Sequence, residues 1–221
     1  MNQLTTEVSA RPATTEPVAE AIREHETSAE DWQFHGIAAR LNHLFDQLNS
    51  AFFNGCLPKA VIAIGPDLIV RYGYYRIGRD EIGAKHRIQL NARHFGRSES
   101  DVAVTLLHEM LHVYQHLYGV PAQRARYHNK EFCRMALTVG IEAEIDSGRT
   151  KAVSHNLRET LRTMGFSEEK ALIQGVSDAP IQRPVRKVMW QCECGQEIWV
   201  ERDTPARAVC QLCHAVFERA A

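Results

Sequence analysis

Thr105-Leu106-Leu107-His108-Glu109-Met110-Leu111-His112 lies inside an apolar-periodic run from Ser100 to Tyr118. On a helix, residues i and i+4 share a face and stand about 6 Å apart along the axis. His108 and His112 can therefore aim two imidazoles at one ion, at Zn–N distances of about 2.0–2.1 Å. Glu109 sits one position round, beside that face, where it reaches a water at the ion without being a ligand. This is the H-E-x-x-H arrangement of zinc hydrolases, in which the metal acidifies a water and polarises a carbonyl while the carboxylate takes the proton. Two histidines one turn apart can also be nothing more than a solvated helix face. The flanks weigh against that. Val102, Leu106, Leu107, Met110, Leu111, Val113 and Leu117 make the run apolar nearly all round, as in a buried helix. A glutamate buried between two histidines is costly without a balancing charge.

A catalytic zinc needs a third protein ligand and an open position. The extended pattern H-E-x-x-H-x-x-G-x-x-H is excluded, because Gln115 stands where glycine is required and Tyr118 where the last histidine is required. His116 lies about 12 Å along the helix from His108, too far to share its ion, and reads as an outer or solvent-facing residue. Gly119 and Pro121 end the helix. A second periodic run then opens at Arg124-Ala125-Arg126-Tyr127-His128-Asn129-Lys130-Glu131-Phe132 and continues through Met135, Ala136 and Val139 to Gly140. His128, at the start of that run, is the first choice for the third ligand. Glu131 is its main rival, with Glu142 and Glu144 behind.

The joint pattern His108-Glu109-x-x-His112 and His128-Asn129-x-x-Phe132 resembles the SprT-like (Spartan-type) zinc metalloproteases, whose third histidine opens an H-G/N-x-x-F/W segment. The approach is similar too: Leu41-Asn42-x-Leu44-Phe45, then Leu48-Asn49-x-x-Phe52-Phe53-x-Gly55-x-Leu57-Pro58, looks like the family's opening helix and exit loop. The C-terminal cysteine pairs look like the ribbon of many bacterial members. The resemblance covers roughly residues 32–140 and 189–217. It implies an α+β fold: a minimal zincin-like metalloprotease domain, with a small sheet packed on the helices that carry H-E-x-x-H, plus a C-terminal zinc ribbon. It also implies that the Ile88–Asn91 strand lies near the cleft, and that the substrate is a protein or peptide. Eukaryotic Spartan-type relatives degrade proteins crosslinked to DNA, so single-stranded or crosslinked DNA enters as an expected partner.

The chain of 221 residues suffices for one ordinary domain and an appendage, and 44% hydrophobic content is enough to bury a core. A net charge of −1 excludes a polycation wrapped by nucleic acid. No stretch approaches the roughly 18 apolar residues that span a membrane, and Met1-Asn2-Gln3-Leu4-Thr5 has neither the basic nor the apolar part of a secretory signal. A cytoplasmic setting, with access to the nucleoid, is the expectation. There the six cysteines are reduced or metal-bound.

The expected organisation is a disordered acidic tail over 1–27, the metalloprotease domain over 28–150, a helical segment and linker over 151–187, and the ribbon over 188–221. Ser28 followed by Asp31 reads as a helix N-cap. Ile37, Leu41, Leu44, Phe45, Leu48 and Phe52 recur at helical spacing until Asn54-Gly55, and mark a packing helix. Ala60–Ile64, Arg71–Arg76 and His86–Asn91 read as strands, with turns at Gly65-Pro66-Asp67 and Gly78–Glu81. A strand at a sheet edge can bind a peptide by main-chain hydrogen bonds, although spacing alone does not choose the edge. Between Arg71 and Arg97, seven cations face only Asp80 and Glu81, a net of +5 with Tyr72, Tyr74 and Tyr75 interleaved. Arg71, Arg76, Arg79, Lys85 and Arg87 are the candidate nucleic-acid contacts, against the alternative of a solvated strand face. Beyond Gly140, Ser154–Met164 reads as a helix and Ser167–Gln174 as a second. Gly175–Lys187 reads as a linker.

Cys192-Glu193-Cys194-Gly195 and Cys210-Gln211-Leu212-Cys213 are short cysteine pairs fifteen residues apart. The spacing is close to that of a four-cysteine zinc site, with C-x-C replacing the first C-x2-C. Four thiolates leave no open position, so this second zinc is expected to be structural. About thirty residues bury too little surface to fold unaided, and a structural zinc can supply roughly 10–16 kcal/mol. Glu197–Val200 and Ala208-Val209 look like its strands. His214 is badly placed to replace a cysteine, and Cys56 and Cys133 read as core residues. Two functions compete on this evidence. One is a zinc endopeptidase with Glu109 as base and His108, His112 and His128 as ligands. The other is a non-proteolytic, zinc-stabilised nucleic-acid-binding or transcription-associated factor. Oligomeric state is not legible.

Overall fold

A computed structural model of the chain describes residues 17–28, 30, 32–65, 71–77, 85–120, 128–145, 149–174, 187–201 and 208–219. The chain divides into two units, Met1–Asp178 and Ala179–Ala221. The boundary differs from the expected one. Residues 151–174 pack into the first unit, because Leu157, Leu161, Phe166 and Leu172 join its single large core.

Helix α2 (His35–Phe53) buries Leu41, Leu44, Phe45, Leu48, Phe52 and Phe53 along the expected stripe. It ends at Asn54 and Gly55, both with positive φ (51° and 70°), which is the left-handed exit that Asn-Gly permits. The Asn49 amide then holds Leu57 by both its backbone N–H and C=O. The expected N-cap at Ser28 is not used. Ser28 is the last residue of α1 (Pro17–Ser28), where its hydroxyl donates back to the His25 carbonyl. Instead α2 enters from Phe34, whose ring meets Trp32 and Phe95 edge-on. Helix α1 also corrects the disordered tail expected over 1–27 for residues 17–27, residues 1–16 lying outside those described. Its apolar stripe is narrow, Ala19 on Val61 with Ile22 alongside, and charge pairs Arg23–Asp46 and Lys59–Glu20 flank it. A stripe of two residues is too thin to stand out in a polar run.

Strand β1 (Val61–Gly65) pairs parallel with β3 (His86–Asn91), and β2 (Gly73–Ile77) pairs antiparallel with it, in the order β1-β3-β2. The strand implied to border the cleft, β3, is therefore central, and β2, like β1, is an edge strand among the described residues. The turns expected at residues 66–67 and 78–81 lie outside the described residues. Helix α3 (Glu99–Tyr118) packs under β2 and β3, and it is capped by Ser98, whose hydroxyl accepts from the Asp101 amide. It stops at Gly119, where a Cβ would stand 3.2 Å from both the Gln115 carbonyl and the Glu131 carboxylate. Helix α4 (Lys130–Thr138) starts at Asn129, whose side chain accepts from the Phe132 amide.

After Gly140, a positive-φ turn packed against Ser154, an unexpected hairpin forms from β4 (Ile141–Ala143) and β5 (Thr150–Val153). Helix α5 (His155–Thr163) follows, capped by Ser154 as its sequence suggested. No helix forms over 167–174. That backbone instead lies across the start of α3: Lys170 and Ser167 carbonyls accept from the Glu99 and Ser100 amides, and Leu172 and Ile173 amides donate to Arg97 and Phe95. Those helix-start amides have no partner inside α3. Glu99, almost fully buried, closes the junction by accepting from Arg40 at 2.9 Å and from the Ser167 amide. Burial pushes the Glu99 carboxyl up, but Arg40, the Ser167 amide and Lys170 outweigh it and hold it below the ordinary range.

The second unit is a three-stranded ribbon in the order β7-β6-β8, with β6 at Lys187–Gln191, β7 at Glu197–Glu201 and β8 at Glu218–Arg219. Its core is small: Cys192, Cys210 and Phe217, with Trp190, Ile198 and Ala208 against them. Among the described residues no helix is long and apolar enough to cross a membrane.

Candidate metal centre

Helix α3 presents His108 and His112 one turn apart, and His128 comes in two residues before α4. The His128 Nε2 lies 3.1 Å from the His108 Nε2 and 3.3 Å from the His112 Nε2. Two ligand nitrogens at about 2.05 Å from one ion, at a tetrahedral angle, stand about 3.3 Å apart. The spacing suits a single zinc, and the ligand atoms of the three residues form one cluster. Three nitrogens this close, buried and turned inward, are poorly matched to one another without a cation between them.

The tautomers follow from the outer contacts. His128 donates from Nδ1 to the Glu144 carbonyl at 3.1 Å, and its backbone amide donates to Ile145. The His108 Nδ1 lies 3.4 Å from the Thr150 hydroxyl. Both braces come from the β4–β5 hairpin; the carbonyl brace leaves the His128 Nε2 bare for a metal, and the Thr150 hydroxyl can accept from the His108 Nδ1 in the same tautomer. Phe132, fully buried, lies beneath all three imidazoles and is stacked on His128 and His112 at 4.1 and 4.3 Å between ring centres. Burial, and then the neighbouring imidazoles, push His108 far below its ordinary pKa and His112 down to about 3. Burial also lowers His128, partly offset by its bond to the Glu144 carbonyl. All three rings are thus neutral at pH 7, the form that binds a metal.

Glu109 is buried at 6% exposure. Burial pushes its carboxyl up to about 8, opposed by the charge of Arg71 and by a hydrogen bond from the Tyr75 amide. That last contact ties α3 to the edge strand. The Asn91 amide donates to the Tyr72 carbonyl, so by the alternation of a strand Tyr74 and Arg76 also face β3 with their backbones. Gly73, Tyr75 and Ile77 then turn theirs outward, towards Glu109. Gly73 is required by close approach: a Cβ would meet the Gln89 carbonyl at 3.0 Å and the Thr105 methyl at 3.2 Å. Gly73→Val is expected to push β2 off α3 and to destabilise the first unit by about 1–3 kcal/mol. A urea midpoint equal to the parent's would contradict that packing.

The rival ligands lie elsewhere. Glu131 accepts from the Val120 amide at 2.7 Å, Glu142 is exposed, and Glu144 contributes its carbonyl. His116 stands beside Tyr75 and His86, whose Nδ1 meets the Tyr75 hydroxyl at 2.6 Å. Of the five cations expected to contact nucleic acid, four lie among the described residues. Arg71 acts on Glu109, Arg76 and Arg87 are opposite one another on β2 and β3, Lys85 precedes β3, and Arg79 lies outside the described residues. Sequence reasoning missed Arg71 and Tyr75 at Glu109, and Thr150 and Glu144 behind the histidines. Backbone contacts leave no mark in side-chain identity. Phe132 was legible as part of the motif, but its role was not.

In the ribbon, Cys192, Cys194, Cys210 and Cys213 form a second cluster, all with free thiols. Sγ–Sγ distances are 3.2 Å for Cys192–Cys194 and 3.7 Å for Cys194–Cys210. Two sulfurs bound tetrahedrally to one zinc at about 2.3 Å stand about 3.8 Å apart. The amides of Cys213 and Leu212 pull the Cys210 thiol down to about 6, favouring the thiolate. His214, at φ 57°, points its amide at the Cys210 carbonyl and is not in the cluster. Both clusters are consistent with zinc.

A family model described as SprT-like matches residues 41–159. No curated protein matches the chain.

Proposed function

From a chain that belongs to the SprT-like family, we propose a zinc-dependent endopeptidase, with His108, His112 and His128 as ligands and Glu109 as general base. The observation that carries this reading is the convergence of three Nε2 atoms beside a buried, non-ligating glutamate that is tied to a sheet edge. Zinc, when bound, acidifies a water and polarises the scissile carbonyl. The remaining work falls to the chain. A peptide adds to the outward edge of β2, where the backbones of Gly73 and Ile77 and the carbonyl of Tyr75 can pair with it, the Tyr75 amide being held by Glu109. Glu109 takes the proton of the attacking water and returns it to the leaving amine. Phe132 and the β4–β5 hairpin keep the imidazoles aimed, and the Tyr75 amide keeps the carboxylate beside them. The four cysteines hold a structural zinc in the ribbon.

The substrates are proteins associated with or crosslinked to nucleic acid in the finer form of the proposal, which draws on the Spartan-type resemblance and on the exposed cations near the edge strand. The test is metal content read beside cleavage of a denatured, quenched-fluorescent casein, with and without single-stranded DNA. The parent is expected to hold two zinc ions and to cleave; His128→Ala is expected to hold one and to cleave at least about a hundredfold more slowly. A His128→Ala chain that keeps both ions removes that residue from the site.

A further inference from the structure

We propose that Arg76 selects an acidic side chain in the bound peptide, at a position next to the scissile amide. The proposal rests on the peptidase reading and names its substrate preference. The Tyr75 amide meets Glu109, so a peptide on the β2 edge has its reacting bond level with residue 75. Side chains of an added strand alternate between the two faces of the sheet. On the face towards α3 they meet the buried flank of the helix. On the opposite face they run beside Tyr74 and Arg76.

That opposite face is only partly covered. Helix α1 sits over β1, with Ala19 on Val61, and among the described residues the β2–β3 half is not covered, with Tyr74, Arg87 and Gln89 half-buried and Arg76 exposed. Arg76 stands directly opposite Arg87 in the ladder. The Cβ atoms of such a pair stand about 5 Å apart, and like charges placed directly opposite are unfavourable. The Arg87 guanidinium leans to the Gln89 amide at 3.4 Å. Arg76 makes no ion pair or hydrogen bond among the described residues. A single cation is enough to discourage this edge from pairing with another sheet, and the Arg76 charge stands where an incoming carboxylate can meet it. An extended peptide fits better than a phosphate backbone, because only a strand also satisfies the outward N–H and C=O groups of the edge.

The experiment uses the full chain as its zinc-loaded Glu109→Gln form, with metal content measured first, so that peptides bind without being cut. Fluorescence anisotropy is read on labelled alanine-rich decapeptides in which one Glu, or one Lys, is scanned through the central positions. At one or two positions Glu is expected to bind about tenfold more tightly than Lys, from one attraction gained and one repulsion avoided. Arg76→Gln, at an exposed position, is expected to erase the difference, and Arg76→Glu to invert it. Equal affinities in the parent, or a preference that survives Arg76→Gln, overturn the proposal. So does an Arg76→Gln chain that loses only oligo(dT) binding, which would give the residue to phosphate. Cleavage by the wild-type chain distinguishes the two levels: casein cut without any Glu preference sinks Arg76 alone, whereas no casein cleavage and no peptide binding sink the peptidase reading with it.

Discussion

Replacing Glu109 by Gln is expected to lower kcat for casein cleavage by about 10²–10⁴-fold while zinc content stays at two. Gln is nearly isosteric and keeps an oxygen for the Tyr75 amide, so the packing of β2 on α3 is preserved. What disappears is the ability to take a proton. A companion measurement isolates the same group. Without a cation, burial leaves the Glu109 carboxyl with a pKa of about 8, so at pH 7 it is mostly protonated, whereas the three imidazoles are already neutral. A dication beside the carboxylate favours its charged form. Zinc binding at pH 7 should therefore release about one proton more from the parent than from Glu109→Gln, the four ribbon thiols releasing theirs equally in both. Proton release is read by calorimetry in buffers of different ionisation enthalpy. Equal cleavage by the variant refutes the base; equal proton release assigns the proton to another group.

The second large effect concerns the ribbon. Cys210→Ser is expected to unfold residues 187–219 outright, while the first unit keeps its zinc and its casein activity. The reason is the size of the core. Three buried side chains, two of them the cysteines themselves, with Trp190, Ile198 and Ala208 alongside, contribute only a few times about 1.5–3 kcal/mol. A core that small does not order a segment of this length by itself, and a structural zinc, worth roughly 10–16 kcal/mol, is the larger contribution. Loss of the β6–β7 amide protection in hydrogen exchange, with zinc falling from two to one, is the expected readout. A ribbon that stays protected in Cys210→Ser, or with a chelator present, shows that its fold does not need the ion.

The sequence was enough to single out the three histidines and the four cysteines that the fold gathers into two clusters. Their chemistry is local: i, i+4 spacing on one helix, or short cysteine pairs, already restricts geometry to a few ångströms. It was enough too for α2, α3 and α5, whose apolar stripes or caps carry a clear period, and for His128 ahead of Glu131, which turns away to the Val120 amide. Helix α1 escaped notice because two apolar residues make no period. Residues 167–174 gave up helix formation to satisfy the amides at the start of α3.

Only the tertiary structure decided that β3 is central and β2 an edge. The composition of β2 and β3 does not differ in a way that ranks them, and parallel pairing of β1 with β3 is a long-range event. It alone placed the Tyr75 amide and Arg71 at Glu109, brought the Glu144 carbonyl and Thr150 behind the histidines, and set Arg76 against Arg87. Each of these depends on backbone direction or on register between segments distant in sequence. A one-residue slip would turn every side chain of β2 to the other face without changing a letter of the chain.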